Sequence, residues 1–190
     1  MLKKTLVAIF IIGVIVAVFL TALYIGKRWK KGVDYPSDYQ ELVLQNAAEF
    51  GLSPALVHAV MLAESHCRAG ALSPRGAVGL MQLMPATAEE VARNLGDDFD
   101  IDALPQPEIN IRLGCAYLAY LEGIFTDRRT VAAAYNAGLG RVRGWITEQG
   151  GQPGQDPVGE IPFPETRGYV KRVEDAYEVY AGRYGVENAR

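Results

Sequence analysis

The chain has 190 residues, of which 49% are hydrophobic, and a formal net charge of −3 at pH 7. This length is sufficient for one domain with an ordinary hydrophobic core. Because the net charge is negative and the basic residues cluster only near the amino terminus, we predict no nucleic-acid partner.

The first predicted element is an uncharged apolar run over residues 5–26. At a rise of about 1.5 Å per residue, roughly 20 such residues cover the hydrocarbon core of a bilayer. We therefore predict a membrane anchor over residues 1–31 and a short linker over residues 32–36. A cleaved signal peptide is the alternative, although the run exceeds a usual h-region and no A-x-A site follows it. The basic residues that flank the run are Lys3, Lys4, Lys27, Arg28, Lys30 and Lys31.

Residues 37–190 are predicted to form an all-α domain, because helical patterns follow one another without sustained alternation of apolar and polar residues. Capping residues, prolines and glycines mark the helix ends. The predicted helices run from a cap at Ser37 to Gly51, from Ser53 past Glu64, from Pro85 to Gly96, from Pro107 to Ile124, from Arg128 to Gly138, and from the end of the Gly/Pro-rich loop 150–164 onward. The buried stripe predicted for the longest central helix comprises Ile109, Leu113, Ala116, Tyr117, Tyr120 and Ile124.

Glu64 lies on the apolar face of the second predicted helix, at i+4 from Val60 and i+7 from Val57. Partial burial and the negative end of the helix dipole both disfavour the ionised carboxylate and raise its pKa. A carboxylic acid that is still protonated near neutral pH is suited to general acid catalysis. On this stretch alone, a glutamate that only reaches solvent from a helix end is the alternative.

Polar residues also occur at two other positions where a binding cleft would need them. Gln82 interrupts the apolar segment "GLMQLMP", which follows a predicted tight turn at Gly76 and Gly79. Tyr135 and Asn136 stand at the end of a predicted helix, where backbone groups are free. Taken singly, these residues are better explained as turn, packing and helix-capping residues.

Taken together and in this order, the motifs resemble the soluble lytic transglycosylase (SLT) family of peptidoglycan-cleaving enzymes, whose fold is a helical relative of goose-type lysozyme. The resemblance extends from about Ser37 to Tyr184, with departures at Cys67, where an aromatic residue is common, and at Leu139, where a proline is common. Its parts are "ES" at Glu64, Ser73, "GAVGLMQLMPATA" from Gly76, "PEINIRLG" from Pro107, "AYNAG" from Ala134 and "IPFPETRGYVKRV" from Ile161.

The resemblance implies a lysozyme-like catalytic domain over residues 37–190, in which Glu64 is the catalytic acid and base. It implies no metal and no other cofactor. The residues implied in substrate binding are Ser73, Gln82, Met84, Tyr135, Glu165, Glu160 and Tyr169. The residues implied in structural support of the site are Ser65, Gly79, Asn136 and Gly138.

The implied reaction cleaves the β-1,4 bond between N-acetylmuramic acid and N-acetylglucosamine without water and leaves 1,6-anhydromuramic ends. A hydrolytic glycosidase normally pairs two carboxylates, and the motifs around Glu64 include no second acid. The nearby group of Asp97, Asp98, Asp100 and Asp102 is interpreted as solvated loop residues. A hydrolytic muramidase and a catalytically silent cell-wall-binding module are the alternatives.

The implied substrate also determines the expected location of the domain. Peptidoglycan strands lie outside the cytoplasmic membrane, so we expect a single-pass membrane protein with an extracytoplasmic catalytic domain. Charge counting alone slightly favours the opposite orientation, because two basic residues precede the apolar run and four follow it.

The two cysteines and two histidines support no separate chemistry. A cysteine peptidase is disfavoured because His66 cannot easily turn its ring toward the adjacent Cys67, and the four residues lack the ligand spacing of a zinc site. An exported domain could oxidise Cys67 and Cys115 to a disulfide. Two small buried thiols are the alternative expectation.

Overall fold

The computed structural model describes residues 35–185 together with Val16. Its second compact unit begins at Pro36, and within the described residues regular structure consists of helices, with β-type pairing limited to isolated bridges. The all-α prediction is therefore confirmed. The helices are α1 Gln40–Phe50, α2 Pro54–Ser65, α3 Pro85–Leu95, a 3₁₀ helix Ile101–Ala103, α4 Pro107–Glu122, α5 Arg128–Ala137, α6 Leu139–Glu148 and α7 Pro164–Tyr184.

The predicted membrane anchor over residues 1–31 lies outside the described residues, except for Val16. In the part of the chain that is described, no helix combines the length and the apolar character needed to cross a bilayer.

Within residues 35–185, proline begins four of the seven α-helices, at Pro54, Pro85, Pro107 and Pro164. Its fixed φ suits the first helical position, and its missing N–H would have no partner there. The predicted cap at Ser37 is wrong, because α1 begins at Gln40 after a left-handed residue and its amino end has no side-chain cap. A turn at residues 38–39 separates Ser37 from the start of α1 at Gln40, so the Ser37 hydroxyl does not stand at the capping position.

Helix α2 lies in the core, with consecutive buried residues from Ala55 to Leu62. Its most extensive packing partner among the described helices is α7, the last helix of the domain. Helix α4 packs against α1, α3 and α5. Helix α2, which carries Glu64, also packs against α1, so it contacts both the first and the last of the helices in residues 35–185.

The buried stripe predicted for α4 is largely wrong. Of its members only Leu113 is buried, and Tyr120 is 56% exposed. Instead, the face with Gly114 points inward, where an added Cβ would lie 2.3 Å from the sulfur of Met81. A sequence pattern based on large apolar residues does not identify a buried helix face on which a glycine, here Gly114, permits close packing. The observed buried residues are Asn110, Ile111, Leu113, Gly114, Cys115, Leu118 and Leu121.

Hydrogen bonds hold the beginning of the helical unit against its last helix. The hydroxyl of Tyr180 donates to the carbonyl of Pro36 at 2.7 Å. The Nε2 of His58 donates to the carbonyl of Asp38 at 3.1 Å, so its Nδ1 accepts from the hydroxyl of Tyr184 at 2.7 Å. Burial lowers the pKa of His58, which favours this neutral tautomer.

Cys67 and Cys115 are both buried as thiols. Burial raises the pKa of the Cys115 thiol to about 12. Since the thiolate is the reactive form of cysteine, Cys115 acts here as a small apolar side chain.

Candidate active site

A cleft of about 490 Å³ opens at the carboxyl end of α2. Four parts of the chain form it: the end of α2, the loop between α2 and α3, the end of α5 and the start of α7. Six of the residues that the sequence predicts for catalysis or substrate binding come together there. The lining residues are Glu64, Ser73, Pro74, Arg75, Ala77, Gln82, Met84, Tyr135, Asn136 and Glu165.

Glu64 is the penultimate residue of α2 and is partly exposed to the cleft. The surrounding protein removes enough water from its carboxyl group to raise its pKa from an ordinary value of 4.5 to about 7. Interactions with Tyr169 and with the positive charge of Arg172 oppose this increase but do not cancel it. Near neutral pH the carboxyl group is therefore present in both its protonated and its ionised form.

Tyr169, on α7, is only 1% exposed and is not among the residues that line the cleft. Its hydroxyl interacts electrostatically with Glu64, yet its oxygen has no partner in good hydrogen-bond geometry. Burial raises the pKa of Tyr169 well above its usual range, so its hydroxyl stays protonated and remains a donor. The structure places this predicted substrate-binding residue beside the carboxyl group of Glu64.

The loop between α2 and α3 folds back on itself and forms one wall of the cleft. Val78 and Leu83 exchange backbone hydrogen bonds of 2.9 and 3.0 Å. Gln82 adopts a left-handed φ of 47°, and its side-chain amide donates to the carbonyls of Ala71 and Gly79. The amide that interrupts the apolar sequence thus closes the loop and also faces the cleft.

Three helices hold the backbone at the centre of this loop. The hydroxyl of Ser65, on α2, donates to the carbonyl of Leu80 at 2.7 Å. The hydroxyl of Tyr135, on α5, donates to the carbonyl of Met81 at 2.9 Å, and the side chain of Asn110, on α4, accepts from the N–H of Met81 at 2.8 Å.

Asn110 is a residue of the site that sequence analysis missed. Its amide also donates to the carbonyls of Val78 and Leu104, each at 3.0 Å. Gly79 has a φ of +81°, and an added Cβ there would lie 2.3 Å from the amide nitrogen of Asn110. Asn110 is fully buried, and a buried amide must find hydrogen-bond partners, but this burial is visible only in the structure.

Two predicted residues occupy positions other than those expected. Glu160 is exposed and does not line the cleft; its backbone N–H and C=O both bond the side-chain amide of Gln149, at 3.0 and 2.7 Å. Asn136 lines the cleft directly, although a supporting role alone was predicted. Gly138 adopts a φ of 93° between α5 and α6 and turns the chain there.

None of the four loop aspartates lines the cleft. Asp97 bonds Arg112 at 3.0 Å, and Asp100 accepts from the N–H of Asp102 at 2.9 Å. The carboxylates that do line it are Glu64 and the exposed Glu165, in the first turn of α7. Within residues 35–185, no cluster of three or more histidine, cysteine, aspartate or glutamate side chains could hold a metal ion.

Several characterised proteins are similar to this chain. It is 39% identical over 160 residues to the soluble lytic murein transglycosylase of Salmonella typhimurium, an alignment that covers 82% of this chain and 25% of that protein. It is 32% identical over 166 residues to the membrane-bound lytic murein transglycosylase C of Actinobacillus pleuropneumoniae, which covers 75% of this chain and 45% of that protein. The chain thus spans about a quarter of the length of the soluble relative.

Solved structures give the same result. An inactive mutant of the lytic transglycosylase Slt from Pseudomonas aeruginosa superposes with a TM-score of 0.73 at 34% identity, over 81% of this chain and 25% of that one. The 70 kDa soluble lytic transglycosylase of Escherichia coli gives 0.71 at 34% identity, over 80% and 25%. The family model described as "Transglycosylase SLT domain" matches residues 41–157. The chain therefore belongs to the transglycosylase SLT domain family.

Proposed function

We propose that this chain is a peptidoglycan lytic transglycosylase, which cleaves the bond between N-acetylmuramic acid and N-acetylglucosamine without consuming water. The observation that carries the proposal is Glu64, a carboxyl group with a pKa of about 7 that lines a cleft of about 490 Å³. Membership of the SLT family supports it, as do relatives named lytic murein transglycosylases.

The proposed reaction uses Glu64 twice. Its protonated carboxyl group donates to the bridging oxygen as the bond from that oxygen to the muramic C1 breaks. The C6 hydroxyl of the same muramic residue then attacks C1, and the Glu64 carboxylate accepts its proton. Since this nucleophile belongs to the substrate itself, much of the entropic cost of a bimolecular attack is absent. A pKa near the working pH allows one group to serve as acid and base.

The remaining residues are assigned by their positions in the cleft. We propose that Ser73, Gln82, Met84, Tyr135 and Glu165 contact the glycan, since all five line the cleft. Tyr169 would act on the substrate through Glu64, and the exposed Glu160 would meet only a stem peptide that leaves the cleft. Ser65, Gly79, Asn136 and Gly138 would maintain its walls.

A hydrolytic muramidase is the second candidate. Glu165 is a second carboxylate in the cleft, and two carboxylates on opposite sides of a glycosidic bond can activate water. The two functions differ in their products. A muramidase releases reducing ends that carry oxygen from water, whereas a transglycosylase releases anhydro ends that are one water lighter.

The test is digestion of purified sacculi by the full chain in isotopically labelled water, with mass analysis of the released fragments. We expect unlabelled anhydromuropeptides. Glu64→Gln keeps the shape of the side chain but has no transferable proton, so its rate should fall by at least ~10²–10⁴-fold. Glu165→Gln is the matched control and should leave measurable turnover. Labelled reducing ends would establish the muramidase instead, and a Glu64→Gln rate within about tenfold of the parent would refute the assignment of Glu64.

We further propose that residues 1–31 form a single-pass anchor in the cytoplasmic membrane. Residues 32–36 would link it to an extracytoplasmic catalytic domain over residues 37–190. The uncharged run with basic flanks supports this arrangement, and one relative is itself named a membrane-bound lytic murein transglycosylase.

A further inference from the structure

Arg75 lines the same cleft as Glu64, and neither the sequence analysis nor the proposed function assigns it a role. Among the described residues that line the cleft, it is the only one with a positive charge, while Glu64 and Glu165 can each carry a negative charge. A carboxylate brought into the cleft by a ligand would be repelled by the ionised glutamates and attracted by Arg75.

A tight turn holds the backbone of Arg75 in the loop between α2 and α3. The N–H of Gly76 donates to the carbonyl of Ser73 at 2.9 Å, and the N–H of Ser73 donates to the carbonyl of Ala77 at 2.9 Å. The hydroxyl of Ser73 accepts from the N–H of Ala77, also at 2.9 Å. Because the residues on either side of Arg75 make these bonds, the turn itself does not require a guanidinium at this position.

The side chain of Arg75 is exposed and has no partner in the protein. In the part of the chain that the structure describes, it forms no ion pair, hydrogen bond or contact with an aromatic ring. Other arginines are bound: Arg112 pairs with Asp97 at 3.0 Å, and Arg129 donates to the carbonyl of Val158 at 2.8 Å. The five N–H donors of the Arg75 guanidinium are therefore available to a ligand.

Arg75 also does not act on the carboxyl groups of the cleft. The pKa of Glu64 is shifted by burial, by Tyr169 and by the charge of Arg172, and Arg75 does not contribute. Arg75 forms no ion pair with Glu165 either. A cation that supports neither the turn nor these carboxyl groups is left to interact with what the cleft binds.

The proposed substrate carries carboxylates only through its muramic acid residues. Each muramic acid bears a lactyl group, whose carboxylate is free where no stem peptide is attached and is an amide where one is attached. A stem peptide in turn brings carboxylates of its own, whereas N-acetylglucosamine has none. The planar guanidinium of arginine can donate two parallel hydrogen bonds to one carboxylate, so Arg75 suits either source.

We propose that Arg75 is a specificity-determining residue, which binds a carboxylate carried by muramic acid, either on its lactyl group or on its stem peptide. This inference rests on the proposed function. The contact would form when the strand binds and persist during the reaction, so it would lower KM and leave kcat nearly unchanged. The protein would thereby distinguish strands that contain muramic acid from neutral glycans with a similar backbone.

The test measures binding to the full chain carrying Glu64→Gln, so that no substrate is cleaved. Its ligands are three octasaccharides: a peptide-free strand, the same strand with its carboxylates converted to methylamides, and a strand with stem peptides. Adding Arg75→Gln should weaken binding of at least one carboxylate-bearing strand by about three- to tenfold, the range expected for a lost charge-assisted hydrogen bond at an exposed site. Binding of the amidated strand should not change. Arg75→Lys keeps the charge and should lose less.

The two carboxylate-bearing strands distinguish the sources. A loss with the peptide-free strand identifies the lactyl carboxylate, and a loss confined to the strand with stems identifies the stem peptide. In the chain with Glu64 intact, Arg75→Gln should raise KM for the same strand by the same factor.

Arg143→Gln is the matched control, because Arg143 is also exposed, forms no ion pair among the described residues and does not line the cleft. Equal weakening by Arg143→Gln would show a general attraction of cations for an anionic strand and would refute the proposal. An equal loss with the amidated strand, or parent-like binding of all three strands by the Arg75→Gln variant, would also refute it. In these cases the proposed function stands as long as the parent chain releases anhydromuropeptides; if it releases none, both fail.

Discussion

The raised pKa of Glu64 connects its chemistry to the stability of the domain. In the unfolded chain this group titrates near 4.5, and in the folded protein near 7. Below pH 4.5 Glu64 is protonated in both the folded and the unfolded state, so its ionisation does not change the free energy of unfolding. As the pH rises from 4.5 to 7 the unfolded state loses its proton first, so the free energy of unfolding falls. Above pH 7 the loss reaches at most about 3 kcal/mol.

Glu64→Gln should therefore stabilise the domain in alkaline solution. Glutamine resembles the protonated acid in shape but does not ionise, so the gain should approach ~2–3 kcal/mol above pH 7 and should nearly vanish at pH 4. Urea unfolding of the parent and the variant at pH 4 and above pH 7 measures this gain in the free energy of unfolding. An equal difference at both pH values would show that packing, and not ionisation, is responsible.

The raised pKa of Glu64 could be predicted from the sequence because the signal for it is local. Two apolar residues at i−4 and i−7 and the nearby helix end are visible within a dozen residues. Asn110 could not be identified in this way. Its partners Val78 and Leu104 lie on segments whose approach to α4 depends on the packing of the whole domain.

At the scale of elements, the wall of the cleft is an irregular loop that depends on side chains of the surrounding helices. The carbonyls of Leu80 and Met81 and the N–H of Met81 bond Ser65, Tyr135 and Asn110. A loop of this kind has little regular structure to hold its backbone. Its geometry, and with it the position of Gln82 in the cleft, therefore depends on these three side chains.

Asn110→Ala should distort this wall. The change leaves the N–H of Met81 and the carbonyl of Leu104 without their partner and removes one of the two donors to the carbonyl of Val78, at a cost of ~2–4 kcal/mol in the free energy of unfolding. Release of muropeptides should fall as well. Asn46→Ala is the control, because Asn46 is also buried, at 5% exposure, but bonds only a carbonyl of its own helix. Equal losses of stability and activity in both variants would contradict the role given to Asn110.

Element boundaries were predictable where a single residue type determines them. Pro54 and Pro85 begin helices as expected, since proline suits the first turn in any context. The inward face of α4 was not predictable, because Gly114 faces the core only when Met81 packs against it. Such a contact joins distant segments and leaves no periodic pattern in the sequence.

At the scale of the whole molecule, the proposed anchor must place the domain that follows it on the same side of the membrane as its proposed substrate. We expect protease added to intact spheroplasts to degrade the domain that follows residue 36, since its proposed substrate, peptidoglycan, is outside the cytoplasm. A cytoplasmic protein serves as the control for intact membranes. If the domain survives in spheroplasts and is lost only after lysis, both the orientation and most of the functional proposal are refuted.

The packing of α2 against α7 has a consequence for how the protein is made. Helix α2 carries Glu64 and is the second of the helices in residues 35–185 to be synthesised, whereas its main packing partner is the last of them. Tyr169, beside Glu64, also belongs to α7. Contacts between such distant segments form late, because a long loop must first be closed. A chain still being synthesised would thus carry Glu64 without the environment that raises its pKa, and the proposed glycan cleavage would arise only with the finished domain.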